Sequence, residues 1–187
     1  MSLSHYIELK AIPQAELSQA EVISSLMQHI HRMLPTYAGR IGIGFPGYGQ
    51  QRTLGGIIRL FGNEQDLQPL FQILQSLADY ALISPPTAVP QPHGHAVFAR
   101  QQPKGQSDQR RAERRLKAQG LSDSEIQQRL RNKQLKQNPI RTPFVQMQSS
   151  STAQHFLLWI SRHSKTEAQT GTFNSYGLSN TATVPVF

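Results

Sequence analysis

The sequence predicts an α+β fold in two parts: an N-terminal βαββαβ domain over residues 1–88, then an α/β domain over 89–187 that carries an arginine-rich helix. Three observations predict it. Over the first 85 residues, apolar positions alternate with period two and then recur at helical spacing, twice in succession. Prolines crowd the stretch from Pro85 to Pro92. Beyond it positive charge concentrates: between Arg100 and Arg141 there are twelve Lys or Arg and four Asp or Glu, while the rest of the chain holds seven of each sign.

The elements follow in order. From His5 to Ile12, Ile7 and Leu9 point to one face and Glu8 and Lys10 to the other, as in a half-buried strand. Ser18 and Glu21 stand in capping-box spacing, and Val22, Ile23, Leu26, Met27, Ile30 and Leu34 mark one helical stripe until Pro35 stops it. Arg40 to Phe45 and Leu54 to Phe61 flank a Pro/Gly loop and read as an antiparallel pair. Asn63 caps a second helix with Leu67, Leu70, Phe71, Leu74, Leu77 and Ala78 on its buried side. Tyr80 to Ser84 is then a last strand. This order is the ferredoxin-like motif. RNA-recognition modules share it, but here Ile41 to Phe45 and Ile57 to Phe61 lack that module's paired aromatics, so the sheet face is not expected to read RNA.

Pro85 to Pro92 reads as a linker. A short strand near Ala96 to Gln101 follows, then a turn from Pro103 to Asp108 and a basic helix over about 108–119 that stops at Gly120. Ser122 and Glu125 repeat the capping-box spacing, with Leu121 and Ile126 as a hydrophobic staple, and Asn138-Pro139 ends that helix. Phe144 to Met147 and His155 to Ser161 read as strands joined by a Ser/Thr-rich connection, and Gly171 to Phe187 as strand and loop.

Composition excludes several classes. The chain has 187 residues, 37% hydrophobic and 16% charged, enough to bury roughly two-thirds of its unfolded surface in a core. No apolar run approaches the roughly 18 residues of a membrane helix, and Met1 to Lys10 lacks the order of a signal peptide, so a cytoplasmic protein is expected. With no cysteine, disulfides, thiolate nucleophiles and cysteine-based zinc sites are ruled out.

The net charge of +8 has one address, and that address suits a polyanion. Arg110, Arg111, Arg114 and Arg115 share one helical face, with Ala112 and Leu116 on the other. Glu113 is the sole carboxylate between Arg110 and Lys117, whereas a salt-bridged surface helix would alternate signs. Arginine forks fit phosphates and the guanine edge, and the narrow groove of a long A-form duplex favours a short stem with an open end. His29 and His31 both fall at borders of the first helix's apolar stripe, on opposite edges, and periodicity does not choose between them. Ser149, Ser150, Ser151 and Thr152 lead into Gln154, His155 and Phe156, either a polar loop or hydroxyls that hold ribose and phosphate beside a stacking platform. His93-Gly94-His95 has no third ligand beside it and reads as a loop, so no metal site is expected.

The segment Pro143 to Phe156, the segment Phe173-Asn174-Ser175-Tyr176-Gly177-Leu178-Ser179 and the ending Val184-Pro185-Val186-Phe187 resemble the type I-F CRISPR repeat endoribonucleases. The likeness runs the whole chain, since the His31 helix, the Arg100-Gln101-Gln102 strand end and the arginine helix occur in the family's order. It implies a ferredoxin-like domain with His31 as catalytic histidine, Ser149 holding the ribose hydroxyl at the cut, and Tyr176 positioning the histidine. It implies that Arg100 and Gln102 read bases at the foot of an RNA stem and that Phe156 stacks on its terminal pair. Lys104, Arg110, Arg111, Arg114 and Arg115 would contact RNA, with Ser151 and Thr152 near the cut. The partners implied are a CRISPR repeat RNA hairpin and the other subunits of a type I-F surveillance complex, with no cofactor. Two departures accompany it. Ala112, Ala118 and Gln119 stand at or near positions that are basic in a family member, and Gln148 stands where a basic residue precedes the serine.

RNA carries its own nucleophile in the 2′-hydroxyl, so such an enzyme needs alignment and a base rather than a metal, and a histidine with a pKa of about 6.5 suits the base. The competing expectation is a non-catalytic hairpin-holding subunit. A DNA-binding role rests on charge alone.

Overall fold

The computed structural model describes residues 3–102, 106–135, 141–149 and 152–187, with the backbone alone for 106–111 and 131–135. The chain forms two compact units, one holding the residues up to Gln101 together with Thr142–Phe187, the other Gln102–Arg141. The architecture is mixed α and β.

In the first unit, β1 (His5–Ala11) buries Ile7, Leu9 and Ala11. α1 (Gln19–Met33) begins at the expected capping box: Glu21 N–H donates to Ser18 Oγ at 3.3 Å and Ser18 N–H donates to Glu21 Oε2 at 2.8 Å. Val22, Ile23, Leu26, Met27 and Ile30 are buried along it. Pro35, which has no N–H to donate, turns Leu34–Tyr37 into a single 3-10 turn. β2 (Gly42–Gly44) and β3 (Ile57–Gly62) pair antiparallel, with Ile43 opposite Leu60. α2 (Glu64–Leu74) is capped by Asn63, whose Oδ1 accepts from Asp66 N–H at 2.7 Å. Arg40 donates twice to the Asp66 carboxylate, both at 2.8 Å, and these bonds hold that carboxyl below its ordinary pKa. β4 (Ala81–Ile83) completes an antiparallel sheet of order β2-β3-β1-β4.

The proline-rich stretch is more than a linker. Within it β5 (Thr87–Ala88) pairs with His5 and Tyr6 of β1, and Val89 N–H donates to Ser4 O at 2.9 Å. Prolines cannot donate, but the residues between them can, and they extend the edge that β4 leaves open.

A second antiparallel sheet has the order β7-β8-β6-β9, from β6 (Gly94–Gln101), β7 (Phe144–Gln148), β8 (His155–Lys165) and β9 (Val184–Val186). It corrects the loop expected at His93-Gly94-His95: Gly94 and His95 are in β6, with His95 between Pro185 and Lys165. The same pairing carries β8 past Ser161 to Lys165. Strands of the first sheet come from residues 5–88 and those of the second from 94–186, and both contribute to one apolar core, in which Phe45 and Phe98 meet edge to face at 5.4 Å.

The second unit holds α3 (Gln106–Ala118) and α4 (Asp123–Leu135). The arginine helix thus starts slightly earlier than the sequence predicts. Its end is a Schellman turn: Leu121 N–H donates to Leu116 O at 3.4 Å, Gly120 N–H to Lys117 O at 3.0 Å, and Gly120 takes φ of +78°. Ser122 then caps α4, donating its N–H to Glu125 Oε2 at 3.0 Å, and hydrogen bonds from Ser122 hold the Glu125 carboxyl below its ordinary pKa. Ile126 is buried. The helix stop predicted at Asn138-Pro139 lies outside the described residues.

Among the described residues, no helix is long and apolar enough to cross a membrane.

Candidate functional site

Of the two helix-border histidines, the structure distinguishes sharply between them. His29 Nδ1 lies 2.8 Å from Ser25 O, the carbonyl one turn back, so it bonds within its own helix. His31 Nδ1 lies 2.8 Å from Ser175 O, contributed by a loop 144 residues further along the chain. A carbonyl oxygen can only accept, so Nδ1 is the donor in that bond, and the neutral His31 ring keeps its basic lone pair at Nε2. The His31 ring also stacks on Tyr176, with centroids 4.2 Å apart and planes 12° from parallel. One hydrogen bond and one ring face fix both the tautomer and the orientation of a partly exposed imidazole.

The loop that does this is built by Asn174. Its Oδ1 accepts from Tyr176 N–H at 2.9 Å and from Leu178 N–H at 3.2 Å, while Gly177 N–H donates to Asn174 O at 2.8 Å. Gly177 has φ of +70°, and a Cβ there would collide with the Ile43 side chain. Gly177 O in turn accepts from Ile43 N–H at 2.8 Å, which ties the loop to β2. Tyr176 is therefore presented by a tight turn anchored on the core.

Arg100, at the end of β6, extends the array. Its guanidinium carbon lies 5.6 Å from the Tyr176 ring centroid and 5.8 Å from that of Phe156 on β8. His31, Tyr176, Arg100 and Phe156 thus follow one another in contact, an arrangement of flat groups suited to bases, ending on the anchored imidazole.

Ser149 opens the turn between β7 and β8. Its N–H donates to Gln154 O at 2.9 Å, its carbonyl accepts from Ala153 N–H at 2.9 Å, and its Oγ accepts from Thr152 N–H at 3.4 Å. Side chains of α1 hold the free edge of β7 beneath this turn. Gln146 N–H donates to Ser24 Oγ at 3.1 Å, Gln148 N–H to Gln28 Oε1 at 2.7 Å, and Gln28 Nε2 to Gln148 O at 3.1 Å. Ser24, Gln28 and His31 are spaced i, i+4, i+7, so one face of α1 carries both the β7 contacts and the histidine.

The first unit therefore brings together His31, Tyr176, Arg100 and Phe156, with Ser149 and Thr152 in the turn that α1 secures. Gln102, Arg114 and Arg115 belong to the second unit and are exposed. Lys104 and Ser151 lie outside the described residues, as do the side chains of Arg110 and Arg111. Sequence reasoning missed Gln28, Ser24 and Asn174. Asn174 had a local signal in Asn-x-Tyr-Gly turn chemistry. Gln28 had none, since its partner is 120 residues away.

An anchored histidine beside a guanidinium and aromatic array, in a chain whose excess positive charge lies between Arg100 and Arg141, is an arrangement that suits a polyanion. The comparisons with known proteins make this particular. Residues 6–187 match the family model described as CRISPR-associated protein (Cas_Csy4), and the chain belongs to that family. It is 35% identical over 190 residues to the CRISPR-associated endonuclease Cas6/Csy4 of Escherichia coli (strain UTI89 / UPEC), covering 99% of this chain and 100% of the relative. It is 33% identical over 192 residues to the protein of the same name from Pseudomonas aeruginosa (strain UCBPP-PA14), again with 99% and 100% covered.

Proposed function

We propose that this chain is a CRISPR-associated endoribonuclease that binds a CRISPR repeat RNA hairpin and cuts it at the 3′ base of the stem. The observation that carries the reading is His31, its Nδ1 committed to Ser175 O and its ring stacked on Tyr176. An imidazole held this way presents a base at Nε2.

In the proposed reaction Nε2 takes the proton of the 2′-hydroxyl beside the scissile phosphate. The 2′-oxygen bonds to phosphorus, the bond to the 5′-oxygen breaks, and that oxygen leaves with a proton from the imidazolium or from water. The products are a 2′,3′-cyclic phosphate and a 5′-hydroxyl, with no metal required because the nucleophile is part of the substrate. Ser149 holds the attacking ribose in line, and the hydroxyls of Thr152 and Ser151 assist in binding the RNA at the cut. Arg100 and Gln102 read bases at the foot of the stem, and Phe156 stacks on its last pair. Arg110, Arg111, Arg114, Arg115 and Lys104 contact the stem. The product stays bound, and the chain serves as a subunit of a type I-F surveillance complex in the cytoplasm.

The fold reading belongs to the same proposal. Strand order β2-β3-β1-β4, with α1 between β1 and β2 and α2 between β3 and β4, supports a ferredoxin-like arrangement for residues 1–88. Residues 89–187 then form the RNA-binding part.

The test is cleavage of a labelled type I-F repeat hairpin in EDTA, wild type beside His31→Ala, with binding followed on the same samples. A single cut at the stem base is expected, reduced about 10²–10⁴-fold in the variant while binding persists. A hairpin with 2′-deoxyribose at the scissile nucleotide should bind and stay whole. Binding without any cut by the wild type would instead make the chain a hairpin-holding subunit, and cutting of the deoxy hairpin would mean that water attacks.

A further inference from the structure

We propose that Gln28 is a positioning residue whose side-chain amide ties the Ser149 turn to the helix carrying His31, and so sets the spacing between base and attacking ribose. The inference rests on the endoribonuclease reading above and deepens it.

The base comes from helix α1 and the ribose-holding hydroxyl from the end of strand β7, both in the first unit. His31 sits near the end of α1, Ser149 directly after β7, and proximity catalysis depends on the distance between the groups they hold. β7 is an edge strand, so its outward backbone groups need partners from another element. At Gln148, the residue before Ser149, one side chain supplies both: Gln28 Oε1 accepts the N–H at 2.7 Å and Gln28 Nε2 donates to the carbonyl at 3.1 Å. A two-point amide contact restrains rotation as well as distance, as a strand pair would. Gln28 precedes His31 by one helical turn, and so the strut spans from the catalytic helix to the last strand residue before the turn. The turn beyond it is braced from within, since Gln148 Nε2 donates to Ala153 O at 3.1 Å. Ser24 makes the neighbouring contact to Gln146, but with a single hydrogen bond two residues further from Ser149.

The strut acts through Ser149 rather than on the substrate, which gives it a signature that general destabilisation lacks. Gln28→Met keeps the bulk of the side chain and removes both hydrogen bonds. Under single turnover with saturating enzyme it should slow hairpin cleavage about 10–100-fold, with hairpin affinity unchanged. Ser149→Ala, costly alone, should cost little more in the Gln28→Met background, because both remove the same alignment. Amide exchange at Gln148 should quicken while the β7 to β8 ladder keeps its protection. Wild-type cleavage by Gln28→Met, losses that multiply independently, or unchanged exchange at Gln148 would each overturn the positioning role and leave the endoribonuclease reading standing. A wild type that never cuts overturns that reading, and the inference with it.

Discussion

The two units solve opposite problems. In the first, a partly exposed histidine rests on a scaffold in which every support reaches back to the core: Ser175 and Tyr176 ride on the Asn174 turn, and that turn is bonded to Ile43 of β2. In the second, a helical hairpin carries its charge on little apolar burial, with Ile126 as the deeply buried side chain among the described residues. On the proposed function the difference has a reason: base catalysis needs one geometry, while phosphate contact needs charge within reach of many. A rigid site should then fail abruptly on substitution, and a charged helix by degrees.

The sharpest way to break the first half of that comparison is Gly177→Ala. It places a side chain at φ of +70° and into Ile43, which should destabilise the chain by about 2–4 kcal/mol. It should also disorder the Tyr176 support, so that cleavage falls further than binding. Thermal unfolding beside single-turnover kinetics checks both, and a variant of wild-type stability and rate would show that the turn is not the support described.

Graded failure is expected on the other side. Arg114→Ala and Arg115→Ala should each weaken hairpin affinity about tenfold and lower the slope of log K against log salt by about 1. The rate of cleavage once the hairpin is saturated should stay the same. Titrations at several salt concentrations measure the slope, and an abrupt loss of the saturated rate would place these arginines in the chemistry instead.

The same contrast explains what was legible in the sequence. Local chemistry announces itself: the Ser18-Glu21 and Ser122-Glu125 boxes, the Asn63 cap and the stop at Pro35 are found where the sequence puts them. The strand at Gly94 and His95 was hidden because a Gly between two histidines looks like a loop, and only pairing with β8 and β9 makes it a strand. Likewise β5 lies among prolines whose neighbours still donate. At the site, periodicity placed His29 and His31 symmetrically, and nothing local separates them. What separates them is Ser175 O, brought in by tertiary structure. The resemblance supplied His31, Ser149 and Tyr176, but not Gln28, whose partner is set by how β7 meets α1.

The smallest expected effect sets two depressed carboxyls against each other. Asp66 is largely shielded and doubly bonded by Arg40, whereas Glu125 is exposed in the α4 capping box. In each case the folded chain favours the ionised carboxylate, so the unfolded chain binds more protons as the solution becomes acid. Their stabilising contributions are therefore complete at neutral pH and are lost as pH falls through the folded-state values, below the ordinary carboxyl range of about 4. Asp66 joins Arg40, two residues before β2, to the start of α2, so its loss should be felt by the whole first unit. Asp66→Asn should flatten the acid limb of the global unfolding midpoint. Glu125→Gln should leave that limb alone and speed amide exchange only in the first turn of α4, because a cap on an exposed helix end reports fraying of that end. Equal effects of the two variants on the global midpoint would mean that the second unit unfolds together with the first, and that the contrast between a core-anchored scaffold and a charged hairpin with little apolar burial does not extend to their stability.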